Sequence, residues 1–325
     1  MGYPQRLRGI GVAMAATAST DIATPKLFLP AASAKITEVP KIYKRDANYA
    51  RASDYAFAAG FDYAFSASGV TGNCELLGYL FWLWAGGDSF AATRHTLTPN
   101  DTGQYLNFFV DEGLPTATPL NHLIGARIAK ITMSQAETDL FKWAIEGVAC
   151  DRGVLLAAVA PSLPSGEDNA PLAWAHFQDA GGFFKVGVGG AVPASDPTVK
   201  GWEISCSQGV FPQGKSLGSN QPTDQHVGQI EVGFKFKKEL FGADAAAQIT
   251  ALRAQNKVGI DMKAIVGAND FQLTIPNADF NADAGKEVGA KDDVVMVEFS
   301  ADAQKDGATP IITVVTKDGT IGVYT

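Results

Sequence analysis

The sequence predicts a mainly β protein: a β-sandwich or barrel with one flanking helix per domain, and with that domain written twice. Three observations carry this. Long stretches alternate apolar and polar residues with period two, the mark of a half-buried strand. Glycine and proline are plentiful, 34 and 16 in 325 residues, which supplies many turns. One order of elements (strand, polar connection, strand, helix, further strands) occurs twice, about 170 residues apart.

The first copy is read in order. SAKITEV (33–39) is a short strand, followed by a polar loop, PKIYKRDANYARAS. Residues 54–66 read DYAFAAGFDYAFS. Tyr55, Phe57, Phe61, Tyr63 and Phe65 fall on one face and Asp54, Asp62 and Ser66 on the other, so this is a long strand with one buried side. Gly60 marks a bulge or bend in it. Next comes TGNCELLGYLFWLWAGG, the most hydrophobic run of the chain. A membrane-crossing helix needs about 20 apolar residues, and this run is too short. Asn73 can cap a helix in which Leu76, Leu77, Leu80, Leu83 and Trp84 form one stripe. Its aromatic content and Gly78 leave a strand as the alternative. ATRHTLTP, QYLNFFVDE, HLIGARIAKITMS and DLFKWAIEGVA then continue as β structure.

The second copy repeats the order. WEISCSQ (202–208) is a short strand, and GVFPQGKSLGSNQPTDQHV a polar loop rich in Gly and Pro. In QIEVGFKFK (229–237), Ile230, Val232, Phe234 and Phe236 make the apolar face, with Glu231, Lys235 and Lys237 opposite. LFGADAAAQITALRAQN reads as a helix capped by Asp244. VGIDMKAIVG, DFQLTIP, DDVVMVEFSA and TPIITVVTKDGTIGVYT complete the β structure, the last with Asp318-Gly319 as a hairpin turn. APSLPSGEDNAP has the composition of a linker, which divides the chain into residues 1–155 and 156–325. The first helix is far more hydrophobic than the second, which predicts that it is the more deeply covered, at a subunit or inter-domain interface.

Composition narrows the function. Hydrophobic residues make up 46% and charged ones 18%, a globular balance. The net charge of −8, mostly from the second half, does not attract nucleic-acid phosphates. Cys74, Cys150 and Cys206 lie far apart without metal or redox spacing, which fits a reducing compartment. At the N-terminus, Arg6 and Arg8 precede a weakly apolar stretch, Gly9 to Ala18, a poor signal-peptide core.

Motifs with catalytic overtones fail on context. GVFPQGKS matches the P-loop pattern, but a P-loop opens directly into a helix whose amides cradle phosphate, and the Pro/Gly-rich text after it cannot begin one. Asp279, Asn281 and Asp283 start like a calcium loop, yet Ala284 stands where Gly is required and Ala290 where the bidentate Glu belongs. His95, His122, His176 and His226 have no ligand spacing, and no G-x-S-x-G elbow occurs. The chain is therefore read as a non-enzyme without cofactor or metal. IYKRDANYARAS mixes basic and aromatic side chains, which suits a protein–protein contact better than single-strand binding.

The order strand, long loop, strand, helix and sandwich completion resembles the major tail tube proteins of long-tailed (siphovirus-type) bacteriophages. FDYAFSASG before its helix, LIGARIAKITMSQAETDLFKWAIEGVA, and VKGWEISCSQGV before its loop resemble that family's text, and the likeness extends over nearly the whole chain. The resemblance implies a structural virion protein, with two strands per domain joining those of neighbouring subunits around a channel. It implies a helix outside the sheet and a long loop reaching the next ring. A chain with two copies would make trimeric, pseudo-sixfold rings that stack into a hollow tube, assembled in the host cytoplasm, through which DNA is ejected without specific binding. Implied partners are further copies of the chain, a tape-measure protein, a tail terminator and distal tail or baseplate proteins. Asp54, Asp62, Ser66, Glu231, Lys235 and Lys237 would face the lumen, a small and acidic lining in which the two lysines pair with acidic neighbours across strands. Lys41, Tyr43, Lys44, Arg45, Tyr49, Arg51, Phe211 and Lys215 would lie on the ring-stacking loops. The alternative is a secreted or surface β-sandwich binding module.

Overall fold

The computed structural model describes residues 9–25, 27–29, 31–45, 55–70, 74–100, 104–111, 118, 120–157, 172–177, 181–188, 194–195, 199–215, 222–240, 250, 254, 257–281, 286–288 and 295–317, some strand ends by backbone alone. They form a mainly β, wholly antiparallel structure. The first run of elements is β1 (Gly9–Ala15), β2 (Leu27–Leu29), β3 (Ser33–Arg45), β4 (Tyr55–Gly69), α1 (Cys74–Ala85), β5 (Gly86–Ala91), β6 (Arg94–Pro99), β7 (Tyr105–Asp111), β8 (Leu120–Ala136), β9 (Lys142–Ala149) and β10 (Asp151–Arg152). A 3-10 turn, Trp174–Phe177, precedes the second run. That run is β11 (Phe183–Val188), β12 (Ala194–Ser195), β13 (Val199–Lys215), β14 (Pro222–Leu240), β15 (Lys257–Val266), β16 (Asn269–Phe280), β17 (Lys286–Val288), β18 (Val295–Ala303) and β19 (Thr313–Lys317).

The two runs pair their strands by the same rule. In the first, β1 pairs with β2 and β7, β3 with β4, β4 with β9, β7 with β8, and β8 with β9 and β10. In the second, β11 pairs with β12 and β15, β13 with β14, β14 with β18, β15 with β16, and β16 with β18 and β19. Two of the irregularities correspond as well. The β3–β4 ladder slips between Pro40 and Ile42, and the β13–β14 ladder slips in the same sense between Gln208 and Val210. The β7–β8 slip between Leu106 and Phe108 is matched by the β15–β16 slip between Val258 and Ile260. An extra residue in one strand of a pair bends the sheet and raises its twist, so both units curve at the same places.

The units share one sheet. β8 accepts β9 on one side and β13 on the other, from Ala136 opposite Gly201 to Lys130 opposite Ser207. The inner sheet therefore runs β3, β4, β9, β8, β13, β14, β18, with β17 beyond. A second layer covers its apolar side. The first half of β8 joins β7, β1 and β2 in that layer, while β16 joins β15, β11, β19 and, through β19, the β5–β6 hairpin of the first unit. Stacked rings mark the facing layers: Phe65 on Phe108 at 4.3 Å in the first unit, and Phe184 near Phe234 at 6.0 Å in the second.

Several expectations are corrected here. The strands at 33–39 and 202–208 are far longer, because their supposed loops pair with the following strands: Lys41–Arg45 continue β3, and Gly209–Lys215 continue β13. Pro40 and Pro212 suggested loops. Each lies where its strand has no neighbour on the far side among the described residues, a sheet position that tolerates a missing N–H. Gly60 is the bulge expected, with φ +106. Beyond it the aromatic face departs from the expectation only at Phe61, which is exposed, and holds at Tyr63 and Phe65, both buried. Gly9–Ala15, the weak signal-peptide core, is a paired strand with Ile10 and Val12 fully buried.

The helix α1 is buried along its whole length rather than on one stripe. It packs against β6 and β8 of the first unit and β16 and β19 of the second, so it sits between the units and not outside the sheet. A helix apolar all round needs cover on all sides, and the second unit completes that cover. Of the second predicted helix, Thr250 is helical and its carbonyl accepts from the Ala254 N–H at 3.0 Å. Its remainder, the Asn73 and Asp244 caps, the linker 160–171 and the Asp318-Gly319 turn lie outside the described residues.

Candidate functional site: the polar face and the joint between units

Alternation along each inner strand leaves one face of the seven-strand run from β3 to β18 covered by small and polar residues. One row across it reads Lys35, Ser66, Glu146, Lys130, Ser207, Glu231. The next reads Ser33, Ser68, Ala144, Thr132, Ser205, Gly233, Asp302. Asp62 and Ser66 are half-buried on this face, and Glu231, Lys235 and Lys237 are exposed on it. The structure thus brings five of the six expected lumen residues onto a single surface. Asp54 lies outside the described residues.

The charge pattern differs from a small, acidic lining. Lys35, Lys130, Lys142, Lys235 and Lys237 interleave with the acids, and the second-unit lysines meet partners across strands: Lys235 Nζ lies 3.7 Å from Glu203 and Lys237 Nζ 3.5 Å from Glu298. Such exposed pairs contribute at most about 1 kcal/mol each. Their consequence is a face with no block of one sign.

The joint between units is held at three levels. On the inner sheet, the long β13–β14 hairpin lies along the first unit. The Tyr105 hydroxyl donates to Asp224, and the Arg127 guanidinium stacks over the Tyr105 ring at 3.9 Å. Gln225 Nε2 donates to the Val148 carbonyl at 3.3 Å. The Tyr105 contact, then the Gln225 N–H, hold the Asp224 carboxyl below its usual pKa. Burial, then the Asp224 carboxylate, raise that of the Tyr105 phenol. In the middle, buried Gln208 donates to the Ile128 carbonyl at 2.9 Å and to the Trp84 carbonyl at the end of α1 at 3.3 Å. In the outer layer, β6 pairs with β19, and Arg94 makes a two-pronged contact with Asp270 at 2.9 and 2.6 Å. Lys263 approaches the same carboxylate at 3.5 Å.

The expected stacking residues fare unevenly. Lys41, Tyr43, Lys44 and Arg45 belong to β3, and Phe211 and Lys215 to β13, so they occupy two long hairpins rather than loops. Tyr49 and Arg51 lie outside the described residues. The P-loop lookalike is largely strand: Val210, Phe211 and Pro212 face Val227, His226 and Gln225 in the ladder, so these amides do not form a phosphate cradle. Sequence reasoning missed Tyr105, Arg127, Asp224, Arg94 and Asp270. Tyr105 lies 119 residues from Asp224 and Arg94 lies 176 from Asp270, and Arg127 reaches the Tyr105 ring from another strand, so no local pattern links them.

Other chemistry is sparse among the described residues. Cys74, Cys150 and Cys206 are buried and form no disulfide; burial pushes Cys150 up to about 11 and raises Cys206 as well. No group of three or more potential metal ligands occurs among these residues. No helix among them is long and apolar enough to cross a membrane. No protein-family model matches the chain, and no curated protein matches it in sequence.

Proposed function

We propose that the chain is a structural subunit of a phage-type tail tube, non-enzymatic, that assembles with copies of itself around a bore. The observation that carries this reading is the double one at the joint. Two units with the same strand pairing are fused side by side into one sheet, and that sheet keeps one continuous polar face. Three chains then supply six equivalent units. Closing the sheet removes edges that a lone chain would leave open, and stacking such rings yields a hollow tube. The polar face becomes the lining, where acids and matched lysines give DNA phosphates no positive strip to adsorb to. Partners in this reading are the chain itself, a tape-measure protein during assembly, and terminator and baseplate proteins at the ends, in a virion tail assembled in the host cytoplasm. Negative-stain electron microscopy of the purified protein tests it. Rings or hollow tubes with threefold or pseudo-sixfold end views are expected; a protein that stays monomeric at high concentration refutes the reading.

A further inference from the structure

The joint inside the chain predicts the joint between chains. Among the described residues β3 pairs only with β4, and β17 only with β18. These are the two ends of the inner sheet. They are also the counterparts of the strands that meet within the chain. β3 corresponds to β13 by the shared slip at Pro40 and Gln208. β16 with β17 corresponds to β8, because β18 runs along β16 and β17 as β9 runs along β8.

We propose that one copy of this chain docks its β3 edge on the β17 edge of the next, antiparallel, in the register of the β8–β13 joint. The strand pairings of the two units fix that register. Gly69 pairs with Trp143, and Lys238 with Val297, so Trp143 and Val297 are equivalent. Met133 faces Trp143 and Lys286 faces Val297, which makes Lys286 the counterpart of Met133. Met133 faces Ile204, whose counterpart is Ile36. Ile36 of one chain therefore opposes Lys286 of the next, Lys35 opposes Glu287, and Ala34 opposes Val288. Lys35 and Glu287 carry opposite charges at facing register positions, where the inner joint has Glu203 opposite Ser134. Opposite charges directly across a ladder favour the pairing, and like charges there oppose it.

The two joints are not equal. Inside the chain the β5–β6 hairpin adds a second, outer strand pairing. That hairpin occupies the stretch between α1 and β7. The equivalent stretch of the second unit, between Ala254 and Lys257, is too short to form one. A joint between chains has the inner ladder without this outer brace, so an assembly opens between chains and not between units.

This inference rests on the reading that the chain self-assembles, and one experiment separates the two. Directly opposed antiparallel residues have Cα atoms about 4.5–5.5 Å apart, within disulfide range. The full chain carrying both Lys35→Cys and Glu287→Cys is oxidised with copper phenanthroline, with Thr37→Cys plus Glu287→Cys as the out-of-register control. Covalent species of two and three chains on a non-reducing gel, several-fold more abundant than in the control, are expected. A ring closed by three chains stops the ladder at three. Tubes by microscopy without in-register crosslinks overturn the joint and leave the tube reading standing. Crosslinked oligomers without rings or tubes keep the joint and remove the tube. A charge reversal, Lys35→Glu, is expected to weaken sedimentation-detected association several-fold at low salt, and Glu287→Lys in the same chain to restore it. Unchanged association in the single variant overturns the register.

Discussion

At the scale of the residue, the fold depends on a few positions where the backbone has no room. Gly125 stands in the bulge of β8 with φ +60, and a Cβ there would lie 2.0 Å from the Ala18 carbonyl oxygen. Gly125→Ala adds a left-handed strain to a backbone clash, and is expected to cost roughly 2–4 kcal/mol, read as a lower urea midpoint. Gly60 was legible because a glycine interrupts a period-two run; Gly125, in HLIGARIAK, was not, since its need comes from a chain segment over 100 residues away. Tyr105 and Asp224 give a pH signature. Asp224 has a folded pKa below its unfolded 3.8, so its contribution holds above that value and is lost as pH falls through the folded one. Tyr105 has a folded pKa above its unfolded 10.0, so its contribution holds below 10.0 and is lost as pH rises through the folded one. The stability difference between wild type and Tyr105→Phe is therefore expected to be largest between about pH 4 and 10 and to shrink outside that window, as measured by denaturation midpoints across pH.

At the scale of the element, α1 and the two long hairpins decide how the units sit together. The sequence marked α1 as a helix through its spacing, and its hydrophobicity marked it as deeply covered. The identity of the cover, β16 and β19, came only from the fold. Leu80 on α1 is fully buried. Leu80→Ala is expected to destabilise by about 2–5 kcal/mol, detected as a lower denaturation midpoint for the whole chain, because both units pack on this helix. If the midpoint of only one unit moved, α1 would not be a shared wedge. The hairpins were cut short in the sequence reading for a physical reason. Gly209, Pro212 and Gly214 are turn formers by propensity, but a strand that projects past its neighbour asks little of its far side. A ladder with one partner, here β14, is enough to keep it extended.

At the scale of the whole molecule, the repeated pairing scheme matters more than any side chain. Two units that barely align in sequence share seven strand pairings and two displaced registers. Their fusion edge to edge leaves β3 and β17 as the two ends of the inner sheet, and this is the geometry from which head-to-tail assembly and the tube reading are proposed. Alternation, helical spacing and the doubled order of elements were determined by the sequence alone, because each is a property of neighbours along the chain. The extent of the hairpins, the burial of α1 between units, the mixed charges of the polar face and the Tyr105–Asp224 and Arg94–Asp270 contacts were decided only by the tertiary structure. They depend on which strand edges meet, and that is settled by hydrogen-bond ladders and packing between segments far apart in sequence.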